Sequence, residues 1–150
     1  MKIYVDADAC PVKQEVYRVA DRYSIEVTVV ANSFLNLPAD RRYTLVMVKE
    51  GIDEADDWIV DHIESEDIVV TGDIPLASRC LGKGAHALGF TGRPFTPDNI
   101  GDALATRDLL AGLRERGEVS SGPPPFAKRD RSRFLQNLDG LIQQISRNSD

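Results

Sequence analysis

The stretch "IYVDADACPVKQEV", residues 3 to 16, ends an apolar run in two aspartates, Asp6 and Asp8, spaced by a single alanine. Two further segments carry acids in a similar setting. "GIDEADD" follows the run "YTLVMV" and contributes Asp53, Asp56 and Asp57, and "TGD" closes the run "DIVVT" with Thr71 and Asp73. A carboxylate pair at a strand end can bind a metal, supply a nucleophile and a proton donor, or cap the helix that follows. Like charges crowded together are destabilising unless a cation neutralises them, so acids gathered from separate segments predict a hard divalent ion, Mg²⁺ or Mn²⁺. Such an ion activates water, orients a phosphodiester and stabilises the charge that develops in displacement.

Whether the acids gather depends on the elements that carry them. Apolar, β-branched runs recur at "KIYV", "IEVTVVA", "YTLVMV", "DIVVT" and "AHALGF", and helix-like stretches separate most of them. Runs that are apolar on both faces and alternate with helices indicate a parallel sheet covered on both sides. The expected fold is therefore α/β, a three-layer sandwich with a mainly parallel five-stranded sheet. In open sheets of this kind ligands sit outside the carboxyl ends of the strands. That rule brings Asp6, the second acidic segment and Asp73 to one edge.

The helices are read as follows. The first opens at Pro11, with Asp8 or a neighbour as cap, and runs to Tyr23 with Val12, Val16, Val19 and Ala20 on one face. A second spans Asp53 to Glu64 and places Ala55, Ile59 and Ile63 at helical spacing; a short third follows Pro75; a fourth runs from Pro97 to Arg116. These elements make residues 1–116 one domain. Residues 117–150 are an extension, in which "GEVSSGPPPFAKRD" reads as a Pro/Gly-rich linker and "RSRFLQNLDGLIQQISRN" as an amphipathic helix. That helix must bury Phe134 and Leu138 against the same domain or a second copy of the chain, so a homodimer is an open expectation.

Taken singly, every acid has a structural reading. Asp8 before a helix is a cap, Asp53 to Asp57 form the solvated first turn of a helix favoured by its dipole, and Asp73 is a turn residue. Their common placement at strand ends is what favours a site.

The blocks "DADACPVK", "GIDEADDWI", "DIVVTGDIPLA", "NIGDALATRDLL" and "SGPPPFAKRDRSRFLQNLDGLI" together resemble the YaiI/YqxD family of bacterial proteins, over nearly the whole chain. That family is in turn similar to PIN-like and NYN nuclease domains. The resemblance implies a parallel sheet with an acidic metal site and hydrolysis of nucleic acid, RNA ahead of DNA. By motif, Asp6 matches the acid ending the first strand, Asp56 or Asp57 the acid of the central helix, and Asp73 the acid of the "TGD" block. Asp8, Asp53 and Thr71 become supporting residues, since ligating carboxylates need hydrogen bonds to hold their orientation. Lys13, Arg79 and the patch Lys128, Arg129, Arg131 and Arg133 are candidates for gripping a phosphate backbone, although surface Lys and Arg mostly serve solubility.

Composition bounds these readings. The net charge of −6 argues against coating nucleic acid by bulk electrostatics, yet residues after 110 carry 7 basic and 5 acidic side chains against 11 and 19 before. No run approaches the roughly 18 apolar residues of a membrane span, and Asp6 and Asp8 interrupt any signal-peptide pattern, so the expectation is a soluble cytoplasmic protein. Cys10 and Cys80 have no zinc or disulfide spacing and read as buried thiols. His62, His86 and Trp58 read as packing or surface residues, and Asn32 and Ser33 end the second strand near the crevice.

Two rival functions remain. Asp-x-Asp after a strand also marks phosphatases with an aspartate nucleophile, but Ala9, Cys10 and Pro11 depart from that motif and "GDIPLA" lacks its second metal acid. The other is a binding or interaction module, stabilised by metal and without turnover.

Overall fold

The computed structural model describes residues 1–117 and 125–148. The first apolar run forms β1 (Lys2–Asp6), and α1 (Lys13–Tyr23) returns the chain to β2 (Glu26–Ala31). β3 (Tyr43–Met47), α2 (Glu54–His62), β4 (Ile68–Val70), α3 (Ile74–Leu81), β5 (His86–Leu88), β6 (Pro94–Phe95), α4 (Ile100–Glu115) and α5 (Lys128–Asn148) follow. They build one sheet in the order β3-β2-β1-β4-β5-β6, parallel except for the antiparallel β5–β6 pair.

The α/β expectation holds, but the sheet has six strands rather than five. The addition is β6, which pairs Phe95 with Ala87 and Pro94 with Leu88. Two residues give no periodic signal, and proline is tolerated there because β6 is an edge.

Alternation along the strands sorts the core into two clusters. Ile3 and Val5 of β1, with Ile68 and Val70 of β4, pack toward α1 and α5, whereas Tyr4 and Val69 pack toward α2, α3 and α4. The sheet is thus covered on both faces, as period-two side chains require. Val12, Val16, Val19 and Ala20 are fully buried, as their spacing predicts. Phe134, Leu138, Ile142 and Ile145 of α5 join the cluster of Ile3 and Val5. Each such side chain contributes about 1.5–3 kcal/mol on burial. Of the two surfaces open to it in the sequence, the C-terminal helix takes its own chain's sheet and lies beside α1. Asp139 ties the pair: it accepts hydrogen bonds from the Tyr23 hydroxyl (2.6 Å) and Gln143 Nε2 (2.9 Å), and pairs with Arg22.

Several helix starts differ from the sequence reading. α1 begins at Lys13, after Pro11 and Val12, and no side chain caps it. Asp8 is turned away instead, its carboxylate facing the Asn32 N–H at 3.3 Å. α2 begins at Glu54, with Asp53 just outside it in a left-handed conformation (φ 67°). α4 begins at Ile100 because Thr96 and Asn99 exchange hydrogen bonds of 2.9 and 3.2 Å that hold the chain in a turn. α5 opens earlier, at Lys128, where the Asp130 carboxylate accepts from the Ala127 N–H at 2.9 Å, as in a capping box. Residues 118–124 of the expected linker lie outside the described residues.

From β1 the chain moves through α1 to β2 on one side, and from β3 it crosses through α2 to β4 on the other. The strand order therefore reverses between β1 and β4. The carboxyl ends of those two strands are where connecting loops diverge and leave a crevice.

Candidate functional site

Asp6 is the last residue of β1, and the chain turns sharply after it. The Cys10 N–H bonds the Ala7 carbonyl at 3.1 Å, and Ala9 takes a left-handed conformation (φ 66°) that its small side chain tolerates at modest cost. Lys13 Nζ donates to the Cys10 carbonyl at 2.9 Å and closes the turn from the helix side. Across the crevice β4 ends at Val70, and Thr71, Gly72 and Asp73 lead into α3. Asp73 is the cap of α3: its Oδ1 accepts from the Leu76 N–H at 3.0 Å, with Pro75 in the first turn.

A relay joins the two strand ends. The Asp73 N–H donates to Thr71 Oγ1 at 2.9 Å, and that hydroxyl donates to Asp6 Oδ2 at 2.7 Å. Thr71 is fully buried, so its single hydroxyl proton is directed onto Asp6 by the amide behind it. Burial pushes the Asp6 carboxyl up from the usual carboxylate range; the Thr71 hydroxyl opposes that, and the Asp73 and Asp8 charges add to it.

The third acid comes from α2. Asp56 is pushed up to about 7, first by burial, then by the charges of Asp73 and Asp6, by a hydrogen bond to the Asp73 side chain, and by Asp53. Asp56 is thus held toward its protonated form by the carboxylates around it, as a carboxyl group crowded by like charges is when no cation separates them. Asp57 points elsewhere and forms an ion pair with Arg79 at 2.9 Å. Of the two acids left open by the sequence on α2, Asp56 is the one that meets Asp73 and Asp6. Asp53 contributes charge from outside the helix start and makes no side-chain cap.

Asp6, Asp8, Ala9, Gly72, Asp73 and Phe90 line a cleft of about 340 Å³. Phe90 was not singled out by the sequence; it lies just beyond β5, and the signal that could have found it is the paired "TGD" and "LGF" at neighbouring strand ends. A larger groove of about 620 Å³ runs along α5 past Arg22 and Asp139, whose polar groups already join α1 to α5.

The basic candidates are dispersed. Lys13 is engaged by backbone carbonyls and Arg79 by Asp57. Arg131 donates to the Pro11 carbonyl (2.8 Å) and to Glu15 (2.9 Å), and its guanidinium lies over Phe126. Arg133 lies 3.9 Å from Asp130, while Lys128 and Arg129 are exposed. These contacts set the first turn of α5 beside the loop that follows Asp8. Cys10 and Cys80 are buried thiols pushed up by burial, to about 11 and about 12, which suppresses thiolate chemistry at both. Trp58 stacks on His62 at 3.8 Å, and the Tyr4 hydroxyl donates to the His62 carbonyl, so all three serve packing around α2.

A divalent ion can be tested against this donor set. Among the described residues no three His, Cys, Asp or Glu side chains are gathered into a set that could hold an ion as placed. The chemistry of the donors does fit: all are hard carboxylate oxygens, and acids from three segments concentrate negative charge that a dication neutralises. Ion binding there would require Asp56 to give up its proton and its bond to Asp73.

Fold and site together define the class: an α/β three-layer domain with acids from three segments at the switch point of a mostly parallel sheet. The family model described as "Uncharacterized BCR, YaiI/YqxD family" matches residues 4–144, and the chain belongs to that family. It is 58% identical over 146 residues to a UPF0178 protein of Paramagnetospirillum magneticum, covering 97% of both chains. A UPF0178 protein of Rhodospirillum rubrum is 53% identical over 98% of this chain and 99% of its own, and one of Rhodopseudomonas palustris 52% identical over 97% and 92%. No solved structure matches. Among the described residues no helix is long and apolar enough to cross a membrane.

Proposed function

We propose that the crevice hydrolyses phosphodiester bonds of nucleic acid, RNA ahead of DNA, with Mg²⁺ or Mn²⁺, in a PIN-like domain. The observation that carries the reading is the meeting of Asp6, Asp56 and Asp73 at the reversal of strand order, with Thr71 bridging two of them. Three carboxyl groups from three segments cost stability when they face one another, and in this fold that edge is where ligands bind. A bound ion would neutralise those charges and polarise the phosphate.

The chain's own residues supply the rest. Thr71 orients Asp6 and the cap bond to Leu76 orients Asp73, so the adjustment an ion requires would fall mainly on Asp56. Asp56 would give up its proton to help hold the ion, so loading of the site would rise with pH. Water adds to phosphorus, the bond to the leaving oxygen breaks, and that oxygen takes up a proton, leaving a phosphomonoester and a hydroxyl end. Lys128 and Arg129, exposed on the first turn of α5, and Arg133 on the next, would supply contacts to the phosphate backbone.

Purified protein supplied with Mn²⁺ is expected to cleave labelled single-stranded or structured RNA or DNA, and Asp6→Asn and Asp73→Asn to abolish cleavage. Absence of cleavage of every substrate, or cleavage unchanged in both variants, overturns the reading. A rise in melting temperature with Mn²⁺ and no cleavage would favour the binding module instead.

A further inference from the structure

One aromatic side chain, Phe90, lines the acid cleft, and the chain accommodates it at several places. Phe90 follows β5 at the same edge as Asp73, and its ring lies against Gly72 so closely that a Cβ there would stand 2.9 Å from the ring. The ring is half-buried; part of it packs against the core and part lines the cleft beside Asp6 and Asp73. The turn that carries it is held from below. Gly89 N–H bonds the Arg93 carbonyl at 2.8 Å, Gly92 N–H bonds the Gly89 carbonyl at 3.0 Å, and Asn137 of α5 donates to the Gly92 carbonyl at 2.6 Å. Gly92 has a left-handed φ of 88° and sits where a Cβ would meet the Arg133 and Phe134 backbone at 2.9 Å. The ring is therefore displayed on a fixed support, which lowers the ordering cost of stacking on it.

Resting on the phosphodiesterase reading above, we propose that Phe90 is the nucleobase platform of the site and selects substrates whose base beside the scissile phosphate is unpaired. A ring adjoining carboxylates is ill suited to an anionic phosphate, and the face of a base offers what it can bind. That face is available only when the base is unstacked, as in single strands, loops and ends. A cleft of about 340 Å³ also has room for one splayed nucleotide rather than a stacked helix. Phe90 is thus a specificity residue that touches substrate, distinct from the acids that would hold the ion.

Binding of a labelled short oligoadenylate and of an abasic oligonucleotide with the same number of phosphates separates base from backbone. Fluorescence anisotropy with Ca²⁺ replacing Mn²⁺ reads both, and the same labelled strands incubated with Ca²⁺ are checked for integrity. Wild type is expected to prefer the base-bearing strand by roughly 5- to 100-fold, the range of a single base–aromatic stack. Phe90→Leu, which keeps apolar volume for the core, should lose most of that preference; Phe90→Tyr should retain it. Gly72→Ala should reduce it by displacing the ring. Equal binding of the two strands by wild type, or a preference unchanged in Phe90→Leu, overturns the proposal. Cleavage with no base preference would sink this inference and leave the hydrolytic reading standing, and base preference without cleavage would do the reverse.

Discussion

Thr71 donates its hydroxyl proton to Asp6 across the gap between β4 and β1, at 2.7 Å, while accepting the Asp73 amide at 2.9 Å. One side chain thereby sets the orientation of one acid and the backbone of another. Thr71→Val keeps the shape and removes both bonds. It should cost about 1–3 kcal/mol, because the Asp73 N–H loses its acceptor, and should push the Asp6 carboxyl further up. Mn²⁺ affinity should fall roughly 10- to 100-fold, as it does when a ligand's supporting hydrogen bond is lost. Calorimetric titration of wild type and variant reads this, and an unchanged affinity would show that Asp6 needs no such support.

The raised carboxyl of Asp56 gives stability a pH dependence of defined sign. With Asp56 raised from 3.8 to about 7, the folded chain binds more protons than the unfolded one across that window. Its contribution to stability is therefore full below the window and is lost as pH rises through it. Melting temperature should show this downward component between about pH 4 and about pH 7, and Asp56→Asn should remove it. Added Mn²⁺ should raise the melting point most at the upper end, where Asp56 is ionised. A wild-type profile that matches Asp56→Asn across the window would mean that Asp56 is not raised.

Asp56 and Asp57 are neighbours in sequence with opposite surroundings. Asp57 pairs with Arg79 at the surface, with 61% and 45% of their side chains exposed, so breaking that pair should cost no more than about 1 kcal/mol. Asp57→Asn should keep the Mn²⁺-induced rise in melting temperature, and Asp56→Asn should lose most of it. The opposite pattern would move the site to the Arg79 side of α2.

The sequence made this division of labour only partly legible. Strand ends were readable because Asp6 and Asp73 close β-branched runs, and the buried faces of α1 and α5 because Val16 and Leu138 recur at helical spacing. Asp56 could not be separated from Asp57, since successive helical residues differ in direction by about 100° and only the position of α3 decides which meets Asp73. The sequence offers Asp8 or a neighbour as the cap of α1, but no side chain caps that helix, and after the left-handed turn at Ala9 the Asp8 carboxylate faces Asn32. Asp67 shows the converse: it is a buried acid whose oxygens accept from the Lys2 and Glu64 amides at 2.9 Å each, fastening the opposite end of β1, and nothing in its sequence neighbourhood distinguishes it from a site residue. Phe90 carries no signal in its own neighbourhood, because its place is set by Gly72, eighteen positions away.

α5 supplies a test of how the C-terminal segment bears on the site. Phe134 is fully buried against the β1 side of the sheet, so Phe134→Ala should cost about 3–5 kcal/mol, read as a lower urea midpoint with little change in slope. Arg131→Ala breaks a half-exposed pair with Glu15, a bond to the Pro11 carbonyl and the contact with Phe126, and should cost less. Because the backbone at Arg133 and Phe134 abuts Gly92, loosening α5 should also loosen the turn that carries Phe90. Hydrogen exchange of the Gly89 and Gly92 amides in Phe134→Ala should therefore rise together with that of α5. Exchange that rises in α5 while the turn keeps its protection would show that the site's aromatic wall stands without the C-terminal helix, and that the helix serves only to cover the sheet.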